Sequence, residues 1–79
     1  MKLRQIASNM TELYINGHEV LFSYQTPVAV FHAEDGYVRT SKKWSSTTSR
    51  HINKWLANRY AGNVTEAPQD FFDSLVGEY

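Results

Sequence analysis

The residues of this chain with the most chemistry in them lie between Thr40 and Ala61: Thr-Ser-Lys-Lys-Trp-Ser-Ser-Thr-Thr-Ser-Arg-His-Ile-Asn-Lys-Trp-Leu-Ala-Asn-Arg-Tyr-Ala. Five of the eight basic residues stand there (Lys42, Lys43, Arg50, Lys54, Arg59), with both tryptophans, an unbroken hydroxyl run from Ser45 to Ser49, and no acid. Cations, hydroxyl donors and the unpaired N–H groups of a helix start together describe a site for an anion, a phosphate above all. The residues expected to contact it are Lys42, Lys43, Trp44, Ser46, Thr47, Arg50, His51 and Lys54. Trp44, just ahead of the helix, offers a face for stacking on a base. An aromatic there can equally pack as a core or staple residue. The same pattern also fits a hydroxyl-capped helix with a solvated basic face.

Other chemistries find less support. With no cysteine, the thiol nucleophile, the thiolate zinc site and the disulfide framework are all excluded. His18, His32 and His51 are far apart in the chain and form no metal-binding pair of the i, i+4 kind. Ser49 and His51 are two residues apart on a helix and so point in different directions. No glycine-rich phosphate loop exists, and no carboxylate pair accompanies His51-Ile52-Asn53. The expectation is a binding protein rather than an enzyme, with no cofactor and no metal.

The elements that position these residues can be read from periodicity. Seventy-nine residues suit one small α+β domain, 1–79, near the lower limit for a single core without staples. The net charge is zero but uneven: residues 41–60 carry five bases and no acid, whereas 61–79 carry four acids and no base. Screening over about 10 Å lets each block act separately. Asn16-Gly17 between two strand-like runs predicts a two-residue hairpin that pairs Ile15 with His18, Leu13 with Val20 and Thr11 with Phe22. Leu13, Ile15, Val20, Phe22 and Tyr24 then share the core face, leaving Glu12, Tyr14, Glu19 and Leu21 on the other. A second hairpin turns at Glu34-Asp35-Gly36, with two or three residues in its loop. Residues 2–8 suit an edge strand or an extended lead-in.

The period changes near Thr40 to that of a helix, from about Ser46 to Tyr60 or Ala61, closed by Gly62. Ile52, Trp55, Leu56 and Tyr60 form its core stripe; Arg50, Lys54 and Thr47 point away, flanked by His51 and Asn58. Arg59 falls inside the apolar stripe, a misfit. Pro68 opens a short second helix carrying Phe71, Phe72, Leu75 and Val76. The predicted fold is an antiparallel sheet of three to four strands, made of two hairpins with no room for parallel crossovers. It is packed on one face by the long basic helix, with the short C-terminal helix beside it.

The segments Phe22-Ser-Tyr-Gln-Thr-Pro-Val-Ala and Arg39-Thr-Ser-Lys-Lys-Trp-Ser-Ser-Thr-Thr-Ser-Arg-His-Ile-Asn-Lys-Trp-Leu56 resemble small uncharacterised proteins encoded by bacteriophages. The resemblance covers about the central half of the chain and brings no assigned chemistry. It implies a viral or prophage setting, where proteins of this size are often accessory factors, including inhibitors of host defence complexes such as CRISPR effectors. The expected partner is therefore an anionic macromolecule, nucleic acid or a host ribonucleoprotein, met in the bacterial cytoplasm. The alternative is a protein-directed, anti-CRISPR-like inhibitor acting through the aromatic sheet face or the acidic tail (Glu66, Asp70, Asp73, Glu78). No membrane partner is expected, since no apolar run approaches the roughly 18 residues of a span.

Overall fold

The structure, a computed structural model, describes residues 2–32 and 34–76. Five strands follow one another as an antiparallel meander: β1 (Lys2–Ala7), β2 (Met10–Ile15), β3 (His18–Ser23), β4 (Thr26–His32) and β5 (Gly36–Thr40). Helix α1 (Ser46–Asn58) then carries the chain back to β6 (Val64–Ala67), which pairs with β5 in parallel, and α2 (Gln69–Val76) follows. The six strands lie in sequence order across one mixed sheet.

The Asn16-Gly17 hairpin forms in the predicted register, Ile15 opposite His18 and Leu13 opposite Val20. Both turn residues have positive φ (52° and 82°), the backbone that a type I′ turn demands and that asparagine and glycine tolerate best. The second hairpin pairs Phe31 with Tyr37 and His32 with Gly36, so its loop holds three residues. Pro27 is accommodated next to a register shift at Leu21/Phe22, where the ladder is interrupted and the missing N–H costs little.

Three features of the predicted architecture are overturned. The sheet has six strands, not three to four, and is not wholly antiparallel. The missed strand, Val-Thr-Glu-Ala, is short and mostly exposed, so it lacks the alternation that marks a strand. The crossover judged impossible is supplied by α1 itself, which spans the return from Thr40 to Val64. The helices, moreover, lie on opposite faces of the sheet. Leu13 and Val20 do share a buried face with Val30 and Val38, but its cover is α2, through Phe72. Helix α1 packs on the other face, where Ile52, Trp55 and Leu56 meet Leu21, Ala29 and Met10. The sheet is thus the middle layer of three.

Helix α1 also ends earlier than Gly62 implied. Arg59 is its C-cap, and the left-handed residue that follows is Tyr60, at φ 55°. The Tyr60 N–H bonds the Ala57 carbonyl (3.1 Å) and the Ala61 N–H bonds that of Leu56 (3.1 Å), the two bonds of a Schellman ending. Tyr60 is therefore 93% exposed rather than part of the core stripe.

Candidate functional site: the basic face of the long helix

The hydroxyl run resolves into one cap and one exposed turn. Ser45 is the N-cap, its Oγ accepting from the Thr48 N–H at 3.3 Å, while Thr48 turns inward and is buried. Ser46 and Thr47 stand exposed in the first turn, which contains no acid. Arg50 and Lys54 are exposed one turn apart on the solvent side of α1. Among the described residues, neither they nor Lys43 makes an ion pair. Between them, Asn53 accepts through Oδ1 from Arg39 Nη1 at 3.2 Å, which brings a β5 guanidinium to the margin of the same face. Arg39 Nε is buried without a hydrogen-bond partner. Sequence reasoning missed Arg39 and Asn53, because only the sheet register brings position 39 beside α1.

The remaining predicted contacts are placed elsewhere. Trp44 donates from Nε1 to Gln69 Oε1 (3.2 Å), and Lys42 Nζ sits 4.3 Å from the centre of its ring. Gln69 in turn donates to the Pro27 carbonyl at 2.7 Å, so Trp44 is tethered to α2 and its ring is already in contact with Lys42. His51 turns inward rather than flanking the basic face. Its Nδ1 lies 2.7 Å from Ser23 Oγ, which also contacts Thr48 Oγ1 at 3.0 Å. A serine hydroxyl at hydrogen-bond distance from an imidazole is the geometry of an activated nucleophile. Here, however, Ser23 is only 1% exposed, and no carboxylate among the described residues orients the ring. The contact satisfies three polar groups between β3 and α1.

Arg59, the misfit of the helical pattern, lies beneath the C-terminal end of α1 in a second polar cluster. Glu12 is 3% exposed on the sheet face below the helix. Its carboxylate accepts from Trp55 Nε1 (2.6 Å), Arg59 Nη1 (3.0 Å) and the Tyr14 hydroxyl (3.0 Å), with Arg4 Nη2 farther off at 3.4 Å. Arg59 also pairs with Glu19, donates to the Tyr37 hydroxyl and lies over the Trp55 ring, 4.8 Å from its centre. Burial works against the Arg59 charge, but Tyr37, Glu19 and Glu12 outweigh it and hold its pKa above the ordinary value. Burial, reinforced by Glu12, raises that of Tyr14. The apparent break in the stripe is thus a cation placed to neutralise two acids on the sheet. Its signal in the sequence was Glu12 and Glu19 on the face opposite the predicted core.

On the other side of the sheet the rings of His18 and His32 stack at 4.2 Å, with Phe71 of α2 5.9 Å from His32. His32 Nδ1 accepts from the N–H groups of Glu34 and Asp35, both at 3.3 Å. Burial, and then the electrostatic effect of the neighbouring His32 ring, lowers the pKa of His18. Among the described residues no three His, Cys, Asp or Glu side chains converge as metal ligands, and no helix is long and apolar enough to cross a membrane.

Comparison with curated proteins and with solved structures returns no match. Residues 1–74 do match the family described as "Family of unknown function (DUF8033)", and the chain belongs to that family.

Proposed function

We propose that the protein is a non-catalytic binding module that docks an anionic partner, nucleic acid or a ribonucleoprotein, on the solvent face of α1. The observation that carries this reading is the division of labour among the cations. Arg59 is engaged with both Glu12 and Glu19, whereas Arg4, largely exposed, makes only a 3.4 Å contact with Glu12. Lys43, Arg50 and Lys54 are exposed, and Arg39 reaches the same side with an asparagine as its polar partner in place of a carboxylate. Arg50 and Lys54 as an i, i+4 pair cost the helix a few tenths of a kcal/mol, so fold stability does not account for them. Exposed cations spaced along a helix suit the phosphates of a nucleic-acid backbone. Ser46 and Thr47 add hydroxyl donors at the end where the helix dipole is positive. Lys42 and Trp44 form a preformed pair tethered to α2, and half-buried His51 is held by Ser23 instead. A bacteriophage accessory role, directed at a host nucleoprotein in the cytoplasm, agrees with the resemblance noted above.

The protein-directed alternative keeps Glu66, Asp70 and Asp73, which are exposed on β6 and α2; Glu78 lies outside the described residues. It loses most of the aromatic sheet face, because α2 covers it.

The test is a salt titration of binding to single- and double-stranded oligonucleotides. The Arg50→Ala, Lys54→Ala double variant should bind more weakly than wild type, with a salt slope smaller by about one unit per lost phosphate contact. Its melting temperature should stay level or rise slightly. Wild-type protein that binds neither oligonucleotide at low salt would remove the nucleic-acid reading.

A further inference from the structure

The edge of the sheet at β1 offers a second surface, distinct from the basic face of α1. Strand β1 pairs only with β2, so its outer backbone groups face no neighbouring strand. Natural edges are commonly blunted by charge, proline, a bulge or a covering element; β1 carries the exposed Arg4 toward the α1 face and a register shift between Gln5 and Ala7, and its α2 side is the apolar one. Here the side chains toward the α2 face are Leu3 and Gln5, and Leu3 is 54% exposed. Leu3 forms one wall of a groove of about 320 Å³ whose other lining residues are Thr11, Phe22, Tyr24 and Gln25. Helix α2 packs chiefly on β4 and leaves this corner open. Tyr24 holds φ 59°, unusual for an aromatic residue, and its N–H bonds the Asn9 carbonyl at 2.8 Å, which fixes the end of the groove.

We infer that β1 is a docking edge for an extended peptide from another protein, which adds as a further strand. An apolar side chain of that strand enters the Leu3–Phe22–Tyr24 groove, and acidic side chains alternate with it. Two observations select this occupant. Side chains alternate across a strand, so a residue added beside Arg4 lies on the opposite face from one entering the groove. Arg4 is 62% exposed and spends a single long contact on Glu12, leaving most of its donors for a carboxylate. The second observation is the charge of β1 itself, whose described side chains include exposed Arg4 and no acid. Pairing of β1 with β1 of a second copy in a register that opposes the two Arg4 side chains would set like charges across the new ladder, which is unfavourable. Main-chain bonds would supply affinity and the groove would select the side chain, as in other cases of strand addition. The groove lies on the α2 side of the sheet, whereas Arg4 lies on the α1 side with Glu12.

The probe is a fluorescein-labelled nine-residue peptide alternating glutamate with valine and leucine, followed by anisotropy and by ¹H–¹⁵N spectra of the full chain. Shifts should concentrate on β1, Phe22 and Tyr24. N-methylation of alternate peptide amides should weaken binding about tenfold or more in one of the two phases, since one phase carries the ladder bonds. Leu3→Asp should weaken it by a similar factor. Replacing glutamate by lysine in the peptide should do so too. The N-methylated peptides need no protein variant, so the test survives if Leu3→Asp folds poorly. No shifts at millimolar peptide, shifts on α1 instead, or indifference to N-methylation in both phases would overturn the proposal. Sedimentation of the chain alone completes the test. A dimer that Leu3→Asp returns to monomer would overturn it in favour of a second copy.

Discussion

Arg59→Met removes a cation from beneath α1 while keeping much of its apolar stem. Glu12 would keep Trp55 Nε1 at 2.6 Å and the Tyr14 hydroxyl at 3.0 Å, with Arg4 at 3.4 Å, but would lose the guanidinium that neutralises it. Breaking a buried ion pair by removing one partner costs about 3–5 kcal/mol. The surviving donors and the partial exposure of Arg59 place this case at the lower end, about 3 kcal/mol. A domain of this length has about 4–12 kcal/mol in total, so the variant should lose a large part of its stability. The melting temperature should fall by about 12–24 °C. Adding Glu12→Gln removes the stranded charge, and the double variant should recover about 1–2 kcal/mol relative to Arg59→Met alone. Urea unfolding and thermal melts followed by tryptophan fluorescence measure these, because the Trp55 ring lies against the guanidinium. An Arg59→Met variant within about 0.5 kcal/mol of wild type, or a double variant no better than the single, would refute the assignment of Arg59 as the neutralising cation.

Other substitutions probe the remaining elements. Trp55→Ala empties the interface below α1 and should cost about 3–5 kcal/mol; a melt close to wild type would contradict the burial of that ring. Tyr60→Gly relieves an exposed side chain in the left-handed region, so urea unfolding should show a gain of about 1 kcal/mol. A loss would mean that Tyr60 makes a contact in the folded state. For His18, whose pKa is lowered in the fold, the unfolded chain takes up a proton first as the pH drops. Stability should be full above the ordinary value near 6.5 and decline as pH falls through it toward the lowered value. His18→Gln should shrink the difference between urea midpoints measured at pH 7.5 and pH 5. An unchanged difference would assign the dependence to another group.

The local signals in the sequence were sound where one interaction sets the outcome. The Asn16-Gly17 turn fixed its register because few other residues accept positive φ twice in succession, and the α1 core positions Ile52, Trp55 and Leu56 followed from period alone. What period could not supply was which sheet face each helix would take. Leu13, Val20 and Phe22 looked like the obvious bed for α1, but Glu12 and Glu19 on the other face needed Arg59 and Trp55 more. The rival apolar face was left for Phe72. For the candidate site, the exposure of Arg50 and Lys54 was legible from the helical period. The withdrawal of His51 to Ser23 and the approach of Arg39 to Asn53 depend on contacts 28 and 14 residues apart in sequence.

The three-layer arrangement also bears on how the chain is made. Both covering helices are encoded after the meander, so a ribosome that has released residues 2–40 has released a sheet with two apolar faces and a lid for neither. Synthesis of the remaining stretch to Val76 takes about 2–7 s at typical rates of 5–20 residues per second. During that interval Leu21 and Ala29 on one side, and Val20 and Val30 on the other, have no helix to pack against. A nascent chain in this state is open to aggregation and to capture by chaperones, and shortening the interval should favour its yield. Any truncation before α1 would make the condition permanent.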